Sequence, residues 1–305
     1  MSLTQIGFEA GEALLDWVGL TEALAAGHAL PKAEVGDTFL YRGKDTLLSR
    51  SAWIDGLGLA VKTATIFPGN DAHGLPAING GVSLFSDRTG VLEALVDFHL
   101  VTKWKTAGDS LLGARRLANP AAREILIVGA GTVAGTLIEA FSAVWPQAQI
   151  RLSNRTLAKA EDLAAQYPGT LVAPDLEPAV RAADIILTCT MATDPVIRGD
   201  WLRPGQHLNM IGAYRPDMRE ADDVALARSR IYCDSFDTTL DHIGEFKIPL
   251  ASGVLTRADV LADFYALDRF PAWSGEEITL FKNGGGAHLD LMTSRHILDL
   301  WTARA

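Results

Sequence analysis

The segment REILIVGAGTVA, from Arg123 to Ala134, decides the fold. Its branched apolar residues, Ile125–Val128, run directly into the glycine turn Gly129–Gly131, which is typical of a buried parallel strand that ends in a tight turn. A helix that starts there would direct the amides of Thr132 and Val133 toward a pyrophosphate. The glycine pattern alone would also suit a structural turn. A second strand about twenty residues later favours a dinucleotide-binding unit.

The chain downstream of this segment alternates between strand-like and helix-like stretches. We expect strands at 124–128, 149–153, 170–173, 184–189, 206–211 and 230–233, and helices at 132–145, 156–166, 175–182 and 220–228. This alternation predicts an α/β protein with a Rossmann-type, doubly wound parallel sheet, which binds its ligand at the carboxyl ends of the strands.

The chain upstream of this segment has a different pattern. A helical apolar stripe covers about 9–30, alternating strands fill 38–64 and 82–96, and a helix spans about 102–118. We therefore expect an N-terminal α+β domain, 1–119, and a Rossmann domain, 120–287. A last helix follows a run of glycines and could return the chain to the first domain, which would then include about 288–305.

Composition and charge exclude several classes of protein. The net charge of −10 and the pI near 5.2 argue against a nucleic-acid partner. No apolar run reaches the ~18 residues of a membrane helix, and the N-terminus lacks the basic region of a secretion signal. Cys189 and Cys233 lie far apart without companions at ligand spacing, so we expect free thiols in a reducing cytoplasm and no metal site.

The end of the second predicted strand bears on the choice of cofactor. An acidic residue there would bond the adenosine ribose of NADH, whereas this strand ends in Ser153, Asn154, Arg155 and Thr156. A basic residue among hydroxyl groups favours a 2′-phosphate, so we expect NADPH to bind better than NADH, with NADH as the weaker cofactor. The alternative is that Asn154 or Thr156 only caps the next helix.

Two later strand ends are expected to border the same cofactor. Thr188 and Thr190 flank the end of the fourth strand, where small polar residues usually meet the dinucleotide. Gly212 and Tyr214 follow the fifth strand and are candidates for the nicotinamide side.

Three basic residues of the first domain stand out by their placement. Arg50 and Lys62 interrupt apolar strand patterns, and Lys105 lies in the helix 102–118 among small neighbours. A charged residue in an apolar strand is costly unless it faces a polar cavity or a partner. For each residue taken alone, a position that faces the surface is the simpler interpretation, and the spacing does not show that the three converge.

Several motifs together resemble one family. They are LLSRSA around Arg50, Lys62 followed by FPGN, GLP at 74–76, LF and TG at 84–90, TKWKTAGDSLLGARRLA, GAGTVA, SNRT at 153–156 and RPDMRE at 215–220. With these motifs the chain resembles the ornithine cyclodeaminase/mu-crystallin family over nearly its whole length.

The resemblance implies a homodimer whose N-terminal domain serves substrate binding and dimerisation and is completed by the C-terminal helix. It also implies that Arg50, Lys62 and Lys105 hold a substrate carboxylate. The family usually has arginine at the position of Lys105, so this contact keeps its charge but loses the bidentate geometry of a guanidinium.

The resemblance also suggests a reaction. Cyclodeaminases of the family have an aspartate near the position of Tyr214, whereas the sequence here is similar to the ketimine-reductase branch. We expect NAD(P)H-dependent reduction of a cyclic imino acid, 1-pyrroline-2-carboxylate to L-proline or its six-membered homologue to L-pipecolate. Lys62 would orient the imine and supply a proton. His288 and Asp290 would border the nicotinamide, although His288 also suits an ordinary helix N-terminus.

Three alternatives remain from the sequence. They are an ornithine cyclodeaminase, a reductase of open-chain imino acids or alanine dehydrogenase, and, in a different class, a non-catalytic NADPH-binding protein like the crystallin relative.

Overall fold

The chain divides into two compact units in the computed structural model, which describes residues 3–304 without the side chain of Asp71. The first unit comprises the residues up to Gly108 and those from Gly286 onward, and the second comprises Asp109–Gly285. The first crossing lies inside helix α3, Phe98–Leu117, and the return lies in the glycine run that precedes the last helix.

The first unit is built on a six-stranded sheet with the order β1-β6-β5-β4-β3-β2. All neighbours are antiparallel except β1 and β6. Its strands are β1 Thr4–Ile6, β2 Glu34–Arg42, β3 Asp45–Ile54, β4 Gly58–Ile66, β5 Ile78–Phe85 and β6 Leu92–Asp97, and its other helices are α1 Phe8–Glu12, α2 Trp17–His28 and α10 Ala287–Ala303. Helix α10 packs on β3, β4 and α2.

The helical pattern expected over about 9–30 forms two helices, α1 and α2, with a break between them. Asp16 lies between them in an extended conformation, and its side chain accepts a hydrogen bond from the amide of Gly19 at 2.7 Å. An aspartate that caps a helix in this way fixes where that helix begins. The apolar pattern continues on both sides of Asp16, so it did not predict that one helix ends and another begins there.

The second unit contains an eight-stranded parallel sheet with the order β13-β12-β14-β11-β10-β7-β8-β9. Its strands are β7 Glu124–Val128, β8 Gln149–Ser153, β9 Leu171–Val172, β10 Ile185–Thr188, β11 His207–Met210, β12 Ser229–Cys233, β13 Val260–Ala262 and β14 Ile278–Lys282. Its helices after α3 are α4 Thr132–Val144, α5 Leu157–Ala164, α6 Leu176–Ala182, α7 Asp223–Ala227, α8 Phe236–Thr239 and α9 Gly244–Ser252. The α/β class and the parallel sheet are confirmed.

The sequence analysis did not predict two strands of this sheet, β13 and β14, and β14 lies in its centre. Strand β14 lies between β11 and β12, and all five of its residues are buried. The helix expected at 220–228 begins only at Asp223, because Asp222 caps it by accepting from the amide of Ala225 at 2.8 Å. Glu220 is therefore outside that helix.

The described residues include no helix that is long and apolar enough to cross a membrane.

Candidate functional site: a cationic cluster and a glycine-turn cavity

Strand register brings two of the predicted basic residues together in the first unit. Arg50 on β3 lies directly opposite Asp37 on β2 and Lys62 on β4. Directly paired residues point to the same face of a sheet. Ala60 and Ala64, which share that face with Lys62 on β4, are buried. The sheet therefore presents both cations on its covered face, which the sequence spacing could not show.

Lys62 is held by a buried ion pair. Its Nζ donates to Asp290 Oδ1 at 2.9 Å and to Thr102 Oγ1 at 2.7 Å, and it lies 4.7 Å from the centre of the Phe98 ring. Lys62 is 7% exposed and Asp290 is 1% exposed. Burial lowers the pKa of Lys62, although the charge of Asp290 opposes this. Burial alone would raise the pKa of Asp290, but the charges of Lys62 and Lys105 lower it.

Arg50 has a carboxylate partner that the sequence analysis missed. Its Nε donates to both Asp37 carboxylate oxygens at 3.1 Å, and its Nη2 donates to Oδ2 at 2.8 Å. Burial would lower the pKa of Arg50, but the hydrogen bond and charge of Asp37 raise it. Only the pairing of β2 with β3 could have revealed this partner.

Lys105 and His288 belong to the same electrostatic environment. The charge of Lys105 acts on Lys62, Asp290 and His288. His288 is 2% exposed, and its ring lies 5.4 Å from that of His28 in an edge-to-face arrangement. Burial, followed by the charges of His28 and Lys105, lowers the pKa of His288 well below its ordinary value, so this imidazole is neutral at pH 7. Arg50, Lys62 and Lys105, with Asp37 and Asp290, are called the cationic cluster below.

The glycine turn of the second unit has the geometry of an anion-binding strand–helix junction. Gly129 has a φ of +126°, and an added Cβ would lie 2.8 Å from Cys189 Sγ, so only glycine fits there. Gly131 is the N-cap of α4, and an added Cβ would meet no atom within 4 Å. The first amides of a helix lack partners within it, so those of Thr132 and Val133 are available to a phosphate. The turn therefore fits a pyrophosphate.

A cavity of about 620 Å³ opens beside this turn, and we call it the glycine-turn cavity. Its lining combines the glycine turn, the end of β8 with the start of α5, and the residues after β10: Val128, Gly129, Ala130, Gly131, Ser153, Asn154, Arg155, Thr156, Lys159, Pro174, Leu176, Cys189, Thr190, Met191, Ala192 and Val196. None of these described lining residues is acidic and two are basic. Lys159 was missed by the sequence analysis, although it lies only four positions after Arg155, in the first turn of α5.

Other predicted cofactor residues lie outside this lining. Thr132 and Val133 form the first turn of α4, and Thr188 is fully buried at the end of β10. Gly212 packs against the backbone of Thr190, where an added Cβ would overlap the Thr190 carbonyl. Tyr214 is 58% exposed beside Arg215. Their roles stay predictions.

The described residues contain no group of three or more His, Cys, Asp or Glu side chains arranged to hold a metal ion.

A parallel sheet with a glycine turn that fits a pyrophosphate defines a dinucleotide-binding protein, and the cationic cluster adds a candidate site for a small anion. The ornithine cyclodeaminase/mu-crystallin family model matches residues 53–305. The chain belongs to this family, as its motifs indicated.

Two curated relatives and one solved structure are similar to this chain over most of its length. The chain is 49% identical, over 291 residues, to Delta(1)-pyrroline-2-carboxylate reductase of Paracoccus denitrificans, with 93% of this chain and 92% of the relative covered. It is 33% identical to ketimine reductase mu-crystallin of Rattus norvegicus, with 80% of this chain and 77% of the relative covered. A solved structure of Delta(1)-pyrroline-2-carboxylate reductase from Thermococcus litoralis, in complex with NADH and L-proline, has the same fold, with a TM-score of 0.89 at 24% identity over 99% of this chain and 98% of that chain.

Proposed function

We propose that this protein reduces a cyclic imino acid with a nicotinamide cofactor, 1-pyrroline-2-carboxylate to L-proline being the reaction supported best. The observation that carries the proposal is the buried Lys62, which shares one face of its sheet with Arg50. A buried ammonium beside a half-buried guanidinium suits a small carboxylate. The 49% identical relative that bears the name of this reductase supports the choice of substrate.

The residues of the cationic cluster suggest how the substrate is bound. Arg50 offers a planar guanidinium to the carboxylate, and Lys105 adds a compact charge. Lys62 points its ammonium at the ring nitrogen and gives it a proton, which the lowered pKa of Lys62 favours. Asp290 and Thr102 hold that ammonium in place. The bound cofactor supplies the hydride that the imine carbon accepts.

Cofactor oxidation measured with 1-pyrroline-2-carboxylate tests this proposal directly. We expect turnover by the wild type and a loss of about 100-fold or more in kcat for Lys62→Met. The Kd of this variant for NADPH should stay within about twofold of the wild-type value, because the substitution leaves the glycine-turn cavity intact. An unchanged Kd also shows that the variant is folded. Turnover of pyruvate with ammonia or of iminosuccinate, but not of cyclic imino acids, would favour an open-chain reductase. Turnover of ornithine would favour a cyclodeaminase. Tight NADPH binding without turnover of any of these substrates would favour a non-catalytic storage protein.

NADPH is the proposed cofactor, because Arg155 and Lys159 line the cavity beside Asn154 and Thr156 and no described lining residue is acidic. A 2′-phosphate would pair with these cations, whereas a ribose hydroxyl would gain little. We expect a ratio of kcat/KM that favours NADPH in the wild type and falls about tenfold in Arg155→Ala or Lys159→Ala. Lys247→Ala, an exposed position of the same unit, is the matched control. A wild type that prefers NADH contradicts this assignment.

A homodimer is the proposed assembly, formed through the outer face of the first-unit sheet. Trp53, Leu59 and Phe85 are neighbours across β3, β4 and β5 on that face, and they line an apolar cavity of about 480 Å³. Trp53 is 48% exposed, and apolar surface of this kind usually marks an interface. Light scattering should give twice the chain mass for the wild type and the chain mass for Leu59→Lys. The control is Leu157→Lys, an exposed leucine of the second unit, and a monomeric wild type would refute the assembly.

The cytoplasm is the proposed location, since Cys189 and Cys233 are free thiols, as expected in a reducing compartment. Cell fractionation with an antibody against the protein tests this, and recovery outside the cytoplasm would contradict it.

A further inference from the structure

The carboxylate of Glu220 joins two loops that follow neighbouring strands in the second unit. Its Oε1 accepts from the Thr190 amide at 2.7 Å and from Thr190 Oγ1 at 2.8 Å, beyond the end of β10. Its Oε2 accepts from the amides of Gly212 at 2.7 Å and Ala213 at 3.3 Å, beyond the end of β11. Glu220 is fully buried. Both oxygens are thus used to fix the backbone at the edge of the sheet where this fold binds its ligand.

The main chain of Glu220 makes further contacts near the glycine-turn cavity. Its carbonyl accepts from the amides of Val196 and Ile197 at 2.9 Å, and its own amide donates to Glu245 Oε2 at 2.8 Å. Thr190 and Val196 both line the cavity. One buried residue therefore fixes two separate parts of the cavity wall.

A buried lysine, Lys282, compensates the charge of Glu220 and also holds the second loop. Lys282 Nζ donates to the carbonyls of Met210 at 3.0 Å and Ala213 at 2.8 Å, and Lys282 is fully buried. The Gly212–Ala213 backbone is thus held in one conformation. Its amides donate to the carboxylate of Glu220, and the carbonyl of Ala213 accepts from the ammonium of Lys282. The absence of a side chain at Gly212 lets this backbone approach Thr190.

We propose that Glu220 is a positioning residue for the nicotinamide cofactor, acting through the loops at 190–192 and 212–213. The inference rests on the proposed function only in taking the glycine-turn cavity as the cofactor site. Glutamate is required there because four donors meet its two oxygens. The amide of a glutamine would place an NH₂ group against one pair of donors and release one loop.

Asp184 provides a matched control within the same sheet. It precedes β10, and its Oδ2 accepts from the amides of Arg123 at 2.8 Å and Glu124 at 3.1 Å, where β7 begins. Its Oδ1 also accepts from Arg203 Nη2 at 3.0 Å. Asp184→Asn and Glu220→Gln therefore both weaken carboxylate-to-backbone contacts, at opposite ends of β10. Only the Glu220 variant should change the cofactor site.

The experiment measures the Kd of NADPH by fluorescence, the Tm, and the KM values for both substrates. We expect Glu220→Gln to raise the Kd and KM of NADPH about tenfold or more, with the KM of the imino acid within about twofold. Asp184→Asn should lower the Tm and leave the Kd unchanged. Glu220→Asp, which keeps the carboxylate but is too short to reach both loops, should raise the Kd less, about threefold, and decides the matter if Glu220→Gln does not fold.

A Kd for NADPH within about twofold of the wild type in the folded variants, with only the Tm lowered, would overturn the role of Glu220. A wild type that binds no nicotinamide cofactor overturns this inference together with the proposed function. A wild type that binds NADPH but reduces no cyclic imino acid overturns the reaction alone, and the comparison of Kd values still decides the role of Glu220.

Discussion

Replacing Lys62 by methionine should destabilise the protein in a way that depends on pH. The ammonium of Lys62 is the ion-pair partner of Asp290, whose side chain is 1% exposed. Removing one member of a buried pair leaves an uncompensated charge and typically costs about 3–5 kcal/mol. Methionine keeps most of the side-chain volume against Phe98, so loss of packing adds little.

The sign of the pH effect follows from the carboxyl group that remains. In the wild type the pKa of Asp290 is below its ordinary value, so its contribution to stability is present above that ordinary value and is lost as the pH falls through the folded pKa. Without Lys62, we expect burial, the largest influence on this group, to outweigh the charges of Lys105 and Arg50 and to raise this pKa. The folded variant then holds a proton that the unfolded chain lacks, so its stability falls as the pH rises. We expect a larger deficit at pH 8 than at pH 5.

Urea unfolding followed by circular dichroism at both pH values measures the deficit. The double variant Lys62→Met with Asp290→Asn provides the control, because it removes both charges. It should recover more than about half of the loss at pH 8 and show little pH dependence. A loss below about 1 kcal/mol at pH 8, or an equal loss in the single and double variants, would refute the reasoning.

Two further predictions concern the second unit. Gly129→Ala should prevent stable folding or cost more than about 2 kcal/mol, because Gly129 has a φ of +126° and the new Cβ would lie 2.8 Å from Cys189 Sγ. Gly131→Ala should fold normally and weaken NADPH binding, because its new Cβ would meet no atom within 4 Å. Thermal unfolding and the Kd for NADPH distinguish the two variants, and an equal loss of Tm in both would contradict the prediction. Burial lowers the pKa of His207 from 6.5 to about 3, so the unfolded chain takes up a proton that the folded chain excludes, and stability should fall by up to about 1.4 kcal/mol per pH unit below 6.5. His207→Gln should flatten this slope in acid unfolding experiments, and an unchanged slope would show that other groups cause it.

Local signals explain which parts of the fold could be predicted from the sequence. The strand expected at 124–128 coincides with β7, because a branched apolar run before glycines specifies both the strand and its end. The two helices α1 and α2 were merged, since the cap at Asp16 is one residue inside a continuous apolar stripe. Strand β14, whose five residues include the buried Lys282, was not among the predicted strands.

The partners of the charged residues could not be predicted, because they depend on tertiary structure. Lys62 and Asp290 are 228 positions apart in the chain, and no local pattern connects them. The contact between Asp37 and Arg50 requires the register of two strands. Glu220 stood within the motif RPDMRE, but the pattern does not show that its carboxylate faces the backbone of two other loops. The sequence could identify which residues carry charge, and the fold determines which charge each one meets.

The pairing of charges in the first unit has a consequence for anion binding. Asp37 neutralises Arg50 and Asp290 neutralises Lys62, while the low pKa of His288 keeps that ring uncharged. Within the cationic cluster, Lys105 therefore carries the positive charge that no carboxylate of the cluster compensates. This one charge matches the single negative charge of the carboxylate of an imino acid. Arg50 contacts Asp37 through Nε and Nη2, so its Nη1 could meet a substrate carboxylate without displacing Asp37. Because Asp37 already compensates the charge of Arg50, we expect Lys105 to contribute most of the net electrostatic attraction for the substrate.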